Sequence, residues 1–212
     1  MKHYQMSRYF ADSREIKKER RMVKKYCYII ALMISMLLLV ACENRIKDKS
    51  EVFEEFLSGD VAAYREGSDI GFYITELCTD TGEWDIYSIS EMYDLDNDDE
   101  GELIINGPYG GMFLDKLDEK VIVFAEGQGT AMELSYVYYD DAYWIVISDT
   151  THGGRQMYSF TKFAGADHIV DSFELNAEYW DQDYYDENSD FTYRGEKITM
   201  EQYEQIYNSI FK

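Results

Sequence analysis

The sequence predicts an α+β fold, mainly an antiparallel β meander with a short helix at its N-terminal end and a second helix at its C-terminal end. Three observations predict it. Between residues 70 and 175, apolar residues alternate or form short runs separated by turn-forming Asp and Gly. Helical spacing is confined to Glu51–Leu57 and to the segment after Thr199. There is no sustained βαβ alternation and no repeat of fixed period, which argues against a doubly wound parallel sheet.

The elements follow in order. Val52, Phe53, Phe56 and Leu57 share one helix face, and Gly59 ends that helix. Ile70–Leu77 and Trp84–Tyr93 read as strands, and Leu103-Ile104-Ile105 as a short buried one. Met112-Phe113-Leu114 and Val121–Ala125 flank a polar turn at Asp115–Lys120. The clearest hairpin is Met132–Tyr139, the turn Asp140-Asp141, then Ala142–Ile147, with Met132, Leu134, Tyr136 and Tyr138 on one face. Met157–Phe163 and His168–Leu175 pair around residues 164–167. Thr199 and Gln202 form a capping box, and Tyr203, Ile206, Tyr207 and Ile210 give the last helix an apolar stripe for packing on the sheet.

Composition agrees with a folded domain. Of 212 residues, 46% are hydrophobic and 16% aromatic, too many to remain solvated as a disordered chain. Residues 43–212 carry 11 Lys+Arg against 39 Asp+Glu, a net of −28, which repels phosphate backbones and argues against nucleic acid as a partner. Cations and basic proteins are the better candidates. Tyrosine and tryptophan are abundant and suit strands, and exposed rings would stack on cell-wall glycans. Cys78 is the one cysteine after residue 42, so the fold needs no internal disulfide, and Cys78 reads as a small buried hydrophobe.

Tyr26–Ala41 is an uncharged apolar run of 16 residues, shorter than the roughly 20 of a membrane-spanning helix but suited to a signal peptide. Arg20, Arg21, Lys24 and Lys25 precede it. It closes with Leu39-Val40-Ala41-Cys42, which resembles the lipobox of bacterial lipoproteins. The resemblance covers the signal alone. It implies that the Cys42 thiol receives a diacylglycerol, that a lipoprotein signal peptidase cuts before it, and that the small Ala41 admits the strand to the peptidase. Residues 1–41 are then a signal peptide, with Met22 expected as the true start because Met22-Val23-Lys24-Lys25 and the apolar run make a compact signal. Residues 42–50 are the lipidated cysteine and its tether, and residues 51–212 are one acidic domain on the outer face of the cell membrane, held to the bilayer through Cys42.

The strongest chemical signal is Asp94-Leu95-Asp96-Asn97-Asp98-Asp99-Glu100-Gly101-Glu102. Alternate side chains of a tight loop point inward, so Asp94, Asp96 and Asp98 can converge on one ion and Glu102 can close the site. Hard oxygen ligands of high charge suit Ca²⁺, expected here as a structural cofactor. The segment resembles the Asp-rich calcium loops of EF-hand-like and integrin-type repeat proteins over about ten residues. It departs from the EF-hand at two points: Asp99 stands where that loop has glycine, and Ile105 where it has its closing Glu. Strand-like flanks favour a strand–loop–strand site. A second acidic run, Asp181–Asp190, lacks ligand spacing and reads as a solvated loop.

Signatures of common hydrolases and of phosphate-binding loops are absent from the sequence. His152 and Arg155, in the loop Thr150–Arg155, form the most site-like pair, able to bind an anion or move a proton. Asn106–Gly111 is a second glycine-rich loop and reads as a turn. The chain as a whole resembles small lipoproteins of Gram-positive gut-type bacteria that carry an Asp-rich loop before a strand, a group that implies location more than mechanism. The expectation is a calcium-stabilised surface lipoprotein that binds a ligand or partner, without catalytic residues. The alternative is a small cell-surface hydrolase using His152 and nearby carboxylates.

Overall fold

The structure, a computed structural model, describes residues 47–77, 86–129, 131–180 and 183–212. Cys42, Met22, the apolar run, Cys78, Trp84 and the start of the second acidic run lie outside the described residues. Lys47–Lys212 form one compact unit. Among the described residues no helix is long and apolar enough to cross a membrane.

The fold is α+β, built on two six-stranded sheets. Helix α1 (Lys49–Ser58) starts two residues before Glu51. The Asp48 side chain accepts from the Glu51 amide at its N-terminus. Gly59, at φ 83°, ends it in the left-handed conformation that glycine adopts most readily. Strands β1 (Ala63–Arg65) and β2 (Gly71–Phe72) follow, then β3 (Ser88–Ile89), β4 (Leu103–Asn106), β5 (Met112–Leu117) and β6 (Lys120–Glu126). The first sheet has the order β2-β1-β6-β5-β4-β3. Its β3-to-β6 portion is the expected antiparallel meander, but β1 pairs with β6 in parallel, Ala63 opposite Val121.

The second sheet is antiparallel throughout: β7 (Met132–Tyr139), β8 (Ala142–Asp149), β9 (Arg155–Phe163), β10 (Ile169–Glu178), β11 (Asp190–Tyr193) and β12 (Glu196–Ile198), adjacent in chain order. Helix α2 (Met200–Ile210) closes the chain with the expected Thr199–Gln202 capping box. The β7–β8 hairpin turns on Asp140 and Asp141, both at positive φ (52° and 56°), the geometry whose twist matches a two-residue hairpin.

Several expected elements differ. Ile70–Leu77 is not one strand. After β2 the chain winds into a 3-10 turn at Ile74–Glu76, where the Glu76 carboxylate takes the Tyr73 amide at 2.7 Å and ends the ladder. Of Trp84–Tyr93, Ser88–Ile89 pairs as a strand. The polar turn at Asp115–Lys120 is shorter than expected: Leu117 pairs with Lys120, and Asp115 lies on β5. Strands β1, β11 and β12 carry too few residues for a periodic signal.

Packing makes four layers. α1 buries Val52, Phe53 and Phe56 against Leu103, Ile105, Met112 and Leu114 on one face of the first sheet. The opposite face turns Ile104 and Phe113 toward Leu134, Ile145 and Phe163 of the second sheet. The far face of that sheet packs Val146, Phe160 and Leu175 under Tyr203 and Ile210 of α2. Each sheet is therefore buried on both faces, which explains unbroken apolar runs such as Leu103–Ile105. Of the four residues expected on one face of β7, Leu134 and Tyr136 enter the inter-sheet core, while Met132 and Tyr138, at the two ends of the strand, stand 39% and 61% exposed. Asn106–Gly111 is a packed turn, as expected. A Cβ at Gly110 would collide with the Leu134 carbonyl.

Candidate metal centre

The acidic loop is closed at its base by the isolated Tyr93–Glu102 bridge, directly before β4, and sits where the two sheets meet. Leu95, fully buried, plugs the inter-sheet core. Beside it, Asn97 clasps the second sheet: its amide nitrogen donates to the Tyr143 and Phe163 carbonyls, both at 3.1 Å, and its oxygen accepts from the Tyr143 amide at 2.9 Å. The Gly165 amide donates to the Asp96 carbonyl at 3.0 Å. Asp94 accepts from the amides of Asp98 and Asp99 at 2.9 and 3.3 Å, and this curls the chain. Asn97 and Asp99 take positive φ, 61° and 72°. Asp99 thus adopts the left-handed conformation at the position where the loops it resembles place glycine; Asn and Asp are the side chains that tolerate it best.

The curl gathers the predicted residues into two overlapping groups, not into the single set expected. Carboxylate oxygens of Asp94, Asp96 and Glu102 lie within 4.8 Å of one another, and so do those of Asp96, Asp98 and Asp115. Asp96 belongs to both groups. Asp115 was not predicted. In the β4–β5 register Leu103 faces Leu114, so one step further along the ladder Glu102 lies opposite Asp115. A buried carboxylate on a central strand was the available signal, but the polar residues after it disguise the strand as a turn.

Lys49, the first residue of α1, was missed as well. Its ammonium lies 2.5 Å from Asp115, 2.7 Å from Glu102 and 3.7 Å from Asp98, with the side chain 9% exposed. The second oxygen of Glu102 accepts from the amides of Leu95 and Asp96. Glu102 therefore ties loop, helix and strand together. Asp96 differs from it: the residue is fully buried, and neither carboxylate oxygen has a hydrogen-bond partner among the described residues.

The electrostatics follow from that geometry. Burial pushes Asp96 up to about 8, helped by the charges of Glu102, Asp115 and Asp98. Burial pushes Glu102 up to about 7 against the opposing pull of Lys49, and Asp115 is raised for the same reason. Burial alone would lower the Lys49 ammonium, but hydrogen bonds and charge from Asp115 and Glu102 outweigh it and hold it well above the ordinary lysine range. Five carboxylates thus share one ammonium. Protons or a further cation must balance the rest.

No family model, curated protein or solved structure matches this chain. The arrangement has to be read from its own chemistry. Oxygen-only donors, four of them (Asp94, Asp96, Asp98 and Glu102) from one curled loop and one (Asp115) from a neighbouring strand, fit a hard divalent cation such as Ca²⁺.

The other predicted pair, His152 and Arg155, also comes together, at the β8–β9 turn. Both oxygens of buried Asp149 lie 2.9 Å from His152 Nδ1, while Arg155 donates to Asp149 from Nε at 3.0 Å and from Nη2 at 2.5 Å. Burial raises the Asp149 carboxyl, but hydrogen bonds from His152 and Arg155 outweigh it and hold it below the usual range. The trio braces the turn. His152, Arg155 and Asp149 do not line the cleft between β6 and the end of β9.

Proposed function

We propose that the protein is a membrane-anchored extracytoplasmic lipoprotein whose acidic domain is a calcium-stabilised ligand- or partner-binding module. The observation that carries the calcium reading is Asp96: a fully buried carboxylate with no partner for either oxygen among the described residues, grouped with Asp94 and Glu102 on one side and Asp98 and Asp115 on the other. An unpaired buried charge is costly, and a divalent ion among Asp94, Asp96, Asp98 and Asp115 would supply the missing ligand field. Glu102 would bind the ion less directly, since Lys49 and two loop amides already occupy it. The anchor reading rests on the Leu39–Cys42 lipobox, and outside the cell calcium is abundant enough to fill a weak site.

Calorimetric titration and thermal melting test the cation. A Kd of order 10⁻⁴ M is expected, as in extracellular calcium modules. At about 2 mM Ca²⁺ this adds about 2 kcal/mol, and melting should rise by about 5 °C over the EGTA-treated sample. An unchanged melt with no heat of binding refutes the reading. The anchor is tested by labelling cells with an alkyne fatty acid: the wild-type chain should take label and stay with membranes, and Cys42→Ala should do neither. Labelling of Cys42→Ala at the wild-type level refutes it.

A further inference from the structure

The two sheets part where β6 faces the end of β9, and a cleft of about 800 Å³ opens between them. That volume lies in the usual range for ligand sites. Its floor is apolar: Ile122, Phe124 and Phe163 line it, the two rings meeting edge to face at 5.4 Å. Apolar side chains also crowd its mouth. Leu117 and Ile169 line it at 38% and 59% exposure, and Ile70 and Val170, next in the chain to the lining residues Asp69 and Ile169, are 82% and 47% exposed. Large apolar side chains gathered around a cleft mark a contact surface more than solvent exposure by chance.

The rim is acidic. Glu66, Asp69, Asp118 and Asp167 line it with no ion pair or side-chain hydrogen bond among the described residues, and Glu119 adds a fifth carboxylate. Two cations, Arg65 and Lys120, stand among these five carboxylates, so the lining keeps a net negative charge. Arg65 is held by both oxygens of Glu126 at 2.6 and 2.7 Å, and the Lys120 ammonium lies 5.3 Å from the centre of the Tyr64 ring. An anionic ligand would meet net repulsion, and a neutral sugar would leave both the carboxylates and the apolar floor unanswered.

We propose that this cleft binds a basic segment of a partner protein, one apolar or aromatic side chain entering between Phe124 and Ile169 while flanking lysines or arginines meet the rim carboxylates. The inference rests on the binding-module reading and supplies the chemistry of its partner. The walls are formed by the β1–β2 and β5–β6 turns on one side and the β9–β10 turn on the other, so an extended segment can lie along the gap.

Three labelled heptapeptides test it against the full chain in nonionic detergent at physiological salt, read by fluorescence anisotropy. One has a central phenylalanine flanked by three lysines on each side. In the second alanine replaces the phenylalanine, and in the third glutamate replaces every lysine. The phenylalanine–lysine peptide should bind about tenfold more tightly than the alanine peptide, the gain expected from burying one ring, and the glutamate peptide should not bind. Ile169→Asn should erase the advantage of phenylalanine. Glu66→Gln with Asp167→Asn should weaken both lysine peptides, whereas Glu201→Gln with Glu204→Gln on α2 should leave them unchanged. All these positions are exposed, so the variants should melt with the wild type. Equal binding of the phenylalanine and alanine peptides, equal loss from rim and helix variants, or no binding overturns the proposal. Melting the same samples with and without Ca²⁺ separates the two readings: a calcium shift without peptide binding removes the cleft alone, and peptide binding without a calcium shift removes the cation alone.

Discussion

Asp96 shows how one carboxylate can couple folding to charge. In the metal-free protein its folded-state value of about 8 lies above the ordinary 3.8. Between those values the folded chain keeps a proton that the unfolded chain releases. The stability this proton contributes is complete below about pH 4 and is lost as pH rises to about 8. Glu102, raised to about 7, acts in the same direction. With EDTA present, the melting temperature should therefore fall between pH 5 and pH 8. Asp96→Asn, which keeps the shape and removes the titration, should flatten that fall and abolish the calcium shift. Melts of both proteins across this range check it; an equally steep fall in Asp96→Asn would show that another group controls the pH dependence.

At the scale of elements, the acidic loop is held by Asn97 more than by its acids. Three hydrogen bonds from one side chain satisfy backbone groups of Tyr143 and Phe163 on two neighbouring strands. Asn97→Ala leaves those groups half-buried without partners and should cost about 3 kcal/mol. It should also weaken calcium binding, because the curl loses its anchor on the second sheet. Denaturant melts and calcium titration check both, and a variant as stable as the wild type would contradict the clasp. This element also shows how far sequence patterns reach. The loop's acids and the Asp140-Asp141 turn were legible because their geometry is set within a few residues. The strand expected at Ile70–Leu77 was not, because an apolar run does not reveal that Glu76 will bond back to the Tyr73 amide and end the pairing.

Across the whole molecule, four layers place the two candidate sites at different junctions. The acid cluster joins α1, β5 and the loop before β4, so helix, sheet and loop share one electrostatic knot. The cleft opens between the two sheets, beside the Phe124–Phe163 contact. Both depend on the sheets facing each other, a relation that no local pattern encodes. The parallel β1–β6 pair has the same character: residues some sixty apart meet, and three-residue β1 carries no period of its own.

The sequence by itself determined the α+β class, both helices, the stop at Gly59, the Thr199–Gln202 cap and the hairpin at Asp140-Asp141, because each depends on contacts a few residues apart, and it marked the acidic loop whose carboxylates fall into two groups sharing Asp96. Only the tertiary structure decided that Lys49 and Asp115 join those groups, that Glu102 is held by a lysine 53 residues away, and that Asp96 has no hydrogen-bond partner among the described residues. The physical reason is that burial and charge balance belong to the space around a side chain, and that space is built by strands and a helix far apart in the chain.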